Sequence, residues 1–196
     1  MDDLILDAVA QRVLGALLEK QRTVPASYPL TLNSLRSACN QTSSRDPVVA
    51  YDETLLTEAL RGLKERGLVR IVWSDRGPRT LKYHQTLDEV LALQPDERAL
   101  VTVLLLRGPQ APGELRTRTE RLHAFADRDE VETVLRRLAA LPTPLVRELE
   151  RRPGQQDRRW AHLLGPAPAE DPSPGPTGVV DRDVVLAGGL AARDAR

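Results

Sequence analysis

The 196 residues suffice for one large domain or two small ones, and 28 basic residues balance 28 acidic ones, so the formal charge is zero with histidines neutral. Neutrality excludes the long-range pull that a strongly basic chain exerts on phosphate backbones or anionic lipid, so any nucleic-acid surface must be a local patch. A hydrophobic share of 41 % supports a core, a 3 % aromatic share argues against a stacking platform for single strands, and the single cysteine, Cys39, excludes an internal disulfide.

The chain opens Met1-Asp2-Asp3, acidic where a signal peptide is basic, and a reducing, cytoplasmic setting is expected. The longest apolar stretch, around residues 100–106, falls far short of the roughly 20 residues needed to cross a bilayer, so no membrane partner is expected. Arg12-Val13-Leu14 followed by Leu17-Leu18 has apolar positions at helical spacing and predicts a first helix. Pro29-Leu30-Thr31 leading to Leu35-Arg36 opens a short second helix after a proline-bearing turn. Leu56, Ala59, Leu60 and Leu63 are the i, i+3, i+4, i+7 stripe of a third helix. Leu68-Val69-Arg70-Ile71-Val72-Trp73, a turn at Asp75-Arg76-Gly77-Pro78-Arg79, and Leu81-Lys82-Tyr83-His84 then read as a β-hairpin.

The plan then repeats. Thr86-Leu87-Asp88-Glu89 carries a T-x-x-E capping pattern and predicts a short connecting helix through about Leu91. Gln94-Pro95-Asp96-Glu97 restarts a helix, with proline at its first position and acids near the positive dipole end. Arg98-Ala99-Leu100 with Val103-Leu104 matches the first helix, and Pro109-Gln110-Ala111 leading to Leu115-Arg116 matches the second. Val131, Val134, Leu135 and Leu138 match the third, with Asp127 and Glu130 resembling a capping box at its start. Leu145-Val146-Arg147, Arg152-Pro153-Gly154 and Arg158-Arg159-Trp160-Ala161-His162 form the second hairpin. Gly77 and Gly154 fall at matching places, as do Tyr83 and Trp160, which predicts one aromatic anchor per hairpin. From Pro166 onward, proline and glycine predict a flexible tail.

Helix, helix, helix and hairpin is the winged-helix plan, in which the third helix can enter a groove while the hairpin touches backbone. The expected fold is α+β, mainly α, with two tandem winged-helix domains. The first spans 1–86, a helical connector 87–93, the second domain 94–165 and the tail 166–196. A short connector predicts a fixed or semi-fixed orientation of the two domains. Each copy is expected to enclose a core of its own, and one continuous core would count against the duplication.

The runs Tyr28-Pro29-Leu30-Thr31-Leu32-Asn33-Ser34-Leu35, Ala38-Cys39-Asn40-Gln41 and Ser44-Arg45-Asp46-Pro47-Val48 resemble the signature of the YceH-like family of uncharacterised bacterial proteins. So do Arg107-Gly108-Pro109-Gln110-Ala111-Pro112-Gly113-Glu114-Leu115-Arg116-Thr117-Arg118, Pro153-Gly154-Gln155-Gln156 and Trp160-Ala161-His162-Leu163-Leu164. The resemblance covers about residues 11–164, implies a tandem winged-helix fold, and carries no activity to transfer.

On the first third helix, an inward stripe points Thr54, Glu58, Arg61 and Glu65 outward, with Thr57 and Lys64 on the flanks. Arg61 and Lys64 are candidates for phosphate contact, but Glu58 and Glu65 have the spacing of exposed ion pairs with Arg61, and a solvated face is the favoured reading. The second copy points Asp129, Thr133 and Arg136 outward and is as mixed. The hairpins concentrate cations at Arg76, Arg79 and Lys82 and at Arg151, Arg152, Arg158 and Arg159, where phosphates could be gripped or arginine stems could cover apolar surface. Arg116, Arg118 and Arg121 on the second helix of copy two extend this basic stripe, diluted by Glu114 and Glu120. Asn40, Gln41, Ser44, Arg45 and Asp46 form a polar loop that either binds a ligand or partner, or closes helix ends, with Arg45 as an internal clamp.

His84, His123 and His162 are scattered, Ser34 and Ser37 lack a nucleophile elbow, and no glycine-rich phosphate loop is present, so neither enzyme, metal nor cofactor is expected. Cys39 reads as a buried small hydrophobe. Expected partners are double-stranded DNA or, alternatively, a protein docked on winged-helix surfaces, with homodimerisation plausible although no heptads mark an interface.

Overall fold

The computed structural model describes residues 4–73, 79–151 and 153–166. Arg76, Gly77, Arg152 and the tail beyond Pro166 therefore lie outside the described residues. Among the described residues the chain is mainly helical α+β, with seven α-helices and two small antiparallel sheets. The first unit comprises α1 (Ala8–Thr23), α2 (Leu32–Asn40), α3 (Glu53–Glu65), β1 (Val69–Trp73) and β2 (Leu81–Gln85). A short α4 (Leu87–Val90) leads to α5 (Pro95–Arg107), α6 (Pro112–Thr119), α7 (Arg128–Ala139), β3 (Val146–Glu148) and β4 (Trp160–His162).

Helix starts follow local polar chemistry. Asp7 Oδ1 accepts from Ala10 N at 2.8 Å, Thr31 Oγ1 from Ser34 N at 3.2 Å and Asp52 Oδ1 from Leu55 N at 2.8 Å, each filling an orphan donor. In the second unit α5 and α6 begin at prolines, and the preceding amides of Gln94 and Ala111 donate to Glu97 and Glu114, both at 2.9 Å. Asp127 caps α7 through Glu130 N at 2.8 Å, but the returning carboxylate takes Ala126 N at 2.7 Å rather than the amide of Asp127. The capping pattern expected at Thr86 does not form. Its hydroxyl donates to the Gly67 carbonyl at 2.6 Å, which draws it toward the α3–β1 turn, and Gln85 Oε1 instead accepts from Asp88 N at 3.3 Å.

β1 pairs with β2 in the register Ile71↔Tyr83, and β3 pairs with β4 in the register Glu148↔Trp160. β4 starts at Trp160, so Arg158 and Arg159, expected on this strand, precede it. Each sheet gains a single-residue third strand. Leu30, just before α2, exchanges two backbone bonds with Tyr83 at 3.2 and 2.8 Å, and Gln110, just before α6, does the same with Trp160 at 3.0 and 2.8 Å. The two expected aromatic anchors therefore stand at equivalent places, where the sheet is tied to its helices.

The helical stripes close as their spacing predicts: Leu56, Leu60 and Leu63 are buried on α3, and Val131, Val134, Leu135 and Leu138 on α7, while Ala59 is partly covered. The expectation of two separate cores is corrected, because the buried residues form one continuous cluster from Leu6 to Leu164; the order of elements repeats, but the copies do not each enclose a core of their own. The cause lies in α5, whose residues Ala99, Leu100, Val101, Thr102, Val103, Leu104, Leu105 and Leu106 are all buried. A helix apolar around most of its circumference must be covered on more than one side, and α1 supplies the second cover. Gly15 of α1 lets the helices approach, since a Cβ there would lie 2.9 Å from Leu106 Cγ and 3.2 Å from Leu105 Cβ. Three further bonds cross between the units: Asp46 N to Leu106 O at 2.9 Å, Leu6 N to Leu164 O at 2.8 Å and Arg22 Nε to Leu122 O at 3.2 Å.

Candidate nucleic-acid interface

The outer face of α3 presents Thr54, Thr57, Glu58, Arg61, Lys64 and Glu65 to solvent. Among the described residues Arg61 forms no ion pair with Glu58 or Glu65, contrary to the expected spacing pairs. Such exposed pairs gain little in water, and immobilising both side chains costs comparable entropy. Glu53 at the start of α3 instead pairs with Arg36 of α2 at 3.0 Å. Between these helices lies an open groove of about 420 Å³, lined by Leu32, Glu53, Thr54, Thr57, Glu58 and Arg61. Its charge is mixed, so it can seat polar groups of either sign but does not repel cations as a phosphate site would.

At the first sheet the Arg79 guanidinium lies 4.5 Å from the centroid of the Trp73 ring, a ring that remains 46 % exposed. Lys82 is opposite Val72 on β2. In the second unit the basic stripe is largely occupied. Arg158 pairs with Glu148 at 3.0 Å and Arg118 with Glu114 at 3.2 Å, Arg116 donates to the Ala126 carbonyl at 3.0 Å, and Arg159 donates to the Pro109 carbonyl. Arg121, expected on the second helix of this copy, lies in the turn after α6 ends at Thr119. Among the described residues Arg61, Lys64, Lys82, Arg121 and Arg151 form no ion pair, and all but Lys82 are exposed.

The polar loop after α2 is built around two arginines. Arg45 has a fully covered side chain and grips Glu19 of α1 with two bonds, 3.1 and 2.7 Å, while also donating to the carbonyls of Ala38 and Ser44 at 2.8 Å each. Arg12, only 4 % exposed, donates to Cys39 O at 3.0 Å and Pro47 O at 2.6 Å. Both cations thus meet carbonyls at the end of α2, where the helix dipole is negative. Burial pushes the Glu19 carboxyl up, but Arg45 and Lys20 outweigh it and hold the group below its ordinary value. Asn40 closes the loop through Tyr51, giving Nδ2 to Tyr51 O at 2.8 Å and taking Tyr51 N at 2.9 Å, while Gln41 accepts from Lys20 at 3.0 Å. Asp46 joins α5 through its amide, and Ser44 adopts φ 57°. These bonds use the loop's polar groups to close the fold. Nothing local marks Arg12 as buried: at helical spacing it falls opposite Ala10, Val13, Leu14 and Leu17, on the face of α1 that carries Ala16 and Glu19.

His84 stands 3.8 Å from Glu89 and packs on Tyr28, with centroids 5.2 Å apart, while His123 meets Phe125 edge-on at 4.7 Å. Burial pushes the His162 imidazole down to about 4 and the Cys39 thiol up to about 12, so both are neutral near pH 7. Among the described residues no cluster of three or more histidine, cysteine or acidic side chains is placed to hold a metal. None of their helices is long and apolar enough to cross a membrane.

Comparison with known sequences matches residues 6–155 to the family described as "Protein of unknown function, DUF480". The chain is 51 % identical to a UPF0502 protein of Pelobacter propionicus over 163 residues, covering 83 % of this chain and 74 % of that protein. It is 51 % identical to a UPF0502 protein of Geobacter sulfurreducens, covering 85 % and 75 % of the two chains, and 47 % identical to one of Opitutus terrae, covering 96 % and 83 %.

Proposed function

The chain belongs to the DUF480 family, and we propose that it is a non-enzymatic tandem winged-helix factor that associates with double-stranded DNA through its phosphates. The observation that carries this reading is the twice-repeated order of three helices and a two-stranded sheet tied back to the segment before the second helix. In proteins of this plan the third helix and the hairpin approach the duplex together. Arg61 and Lys64 on α3, with Arg79 and Lys82 at the first sheet, supply cations that no carboxylate among the described residues occupies. The carboxylates beside them on α3 weigh against base readout, so contact is expected to position the protein without selecting sequence.

Fluorescence anisotropy with a mixed-sequence duplex over a salt series tests this. Affinity should fall linearly on a double-logarithmic plot, by about 0.9 in slope for each phosphate contacted. Replacing Arg79 and Lys82 together by alanine should weaken binding equally across duplexes and reduce the slope by about 2. Absent or salt-indifferent binding overturns the reading. It would favour a second one, a protein-docking adaptor, which the Glu53 and Glu58 carboxylates in the α3 groove suit better than they suit phosphate.

A further inference from the structure

We propose that β1 is a self-association edge, pairing antiparallel with β1 of a second copy of this chain across a two-fold axis to make one four-stranded sheet. The backbone parity points to it. Both polar groups of Tyr83 are bonded to Leu30, so Ile71↔Tyr83 is a non-bonded pair of the β1–β2 ladder. Pairing therefore runs through Arg70↔His84 and Val72↔Lys82, and the bond from Thr86 N to Leu68 O at 3.0 Å continues the same alternation. The N–H and C=O groups of Val69, Ile71 and Trp73 consequently point off the outer edge. Among the described residues no hydrogen bond takes them up.

Exposed strand edges are ordinarily blunted by brevity, proline, a bulge or a charge directed along the edge. β3, the equivalent strand, is only three residues long and ends in Glu148, but β1 has five residues, three of them β-branched, and none of these devices. Its one charge, Arg70, lies within 3.4 Å of Glu89 and is thereby offset. The edge is also complementary to itself. A two-fold axis at Ile71 sets that residue against its own copy, Val69 against Trp73, and Arg70 against Val72, so apolar side chains meet and no like charges stand directly opposite. The half-exposed Trp73, which Arg79 already meets from within the chain, gains a further cover. Five paired residues cover far less than the roughly 1,200 Å² of a stable interface, so the dimer must be weak and concentration-dependent. This inference does not rest on duplex binding, and its test contains no DNA.

Sedimentation equilibrium of the full chain over a concentration series reads the outcome. The weight-average mass should climb toward twice the monomer value as concentration rises. Ile71→Pro removes one edge N–H that the β1–β2 ladder does not use, and it should hold the protein monomeric. Trp73→Lys changes an exposed side chain without touching the backbone, and should weaken association at least tenfold, so loss of dimer in both variants with unchanged circular dichroism supports the pairing. A wild-type chain that stays monomeric throughout overturns it, as does a dimer of unaltered strength in both variants. A monomer that dimerises only after residues 167–196 are deleted also overturns it as stated, and would give the edge to that segment.

Discussion

Replacing Arg45 by methionine should lower the free energy of unfolding by about 3–5 kcal/mol, the range for breaking a buried pair by removing one partner. The Arg45 side chain is 0 % exposed and that of Glu19 is 13 % exposed. Arg45 serves several acceptors at once: both Glu19 oxygens and the carbonyls of Ala38 and Ser44. Methionine would fill the space of the stem but leave Glu19 to Lys20 alone, which holds it at 3.1 Å from the solvent side. It would also strand the carbonyl of the buried Ala38, at a cost of about 1–3 kcal/mol, and remove the partner of the partly exposed Ser44 carbonyl. Replacing Arg45 and Glu19 together by apolar residues should cost less than the sum of the single changes, because no lone charge remains. Urea denaturation followed by circular dichroism measures each value, and a loss below about 1 kcal/mol for Arg45→Met would place the pair with ordinary surface ion pairs instead.

Leu106→Ala should cost about 4 kcal/mol, in the upper half of the range for buried leucine truncation. Leu106 is 2 % exposed and lies against Gly15, which has no side chain to move into the vacated space. The cavity would therefore remain open at the joint between α1 and α5. Gly15→Ala in the intact protein combines a gain of about 1 kcal/mol in helix propensity with a methyl group forced to 2.9 Å from Leu106, so the two terms nearly cancel. In the Leu106→Ala background only the 3.2 Å approach to Leu105 Cβ remains, and Gly15→Ala should recover about 1 kcal/mol. Failure of the second change to help would show that the helices do not meet at these residues.

Much of this architecture is legible in the residues. The stripes Leu56, Leu60, Leu63 and Val131, Val134, Leu135, Leu138 are periodic, and periodicity is what burial of one helix face imposes. Proline and short polar side chains mark the helix starts for equally local reasons. Features that depend on a distant partner are not legible in this way. The one-residue pairing of Leu30 with Tyr83 has no repeat to betray it, and the threonine at position 86 serves Gly67 across the fold rather than its own helix. The apolar run of α5 announces burial on several sides, yet nothing local names α1 as its cover. At the candidate interface the sequence supplies the cations but not their occupancy. Arg158 and Arg61 look alike along the chain, and only the fold shows that Glu148 holds the first while the second is left to solvent.

The shared core of the two repeated units is most directly tested by unfolding the protein in urea with one probe in each unit. Reactivity of the Cys39 thiol, buried in the first, and fluorescence of Trp160, 6 % exposed in the second, report them separately once Trp73 is replaced by phenylalanine. Packing of α1 on α5 predicts that both probes change at the same urea concentration, in a single transition. Two well-separated midpoints would contradict it, and would divide the chain into two units with separate cores.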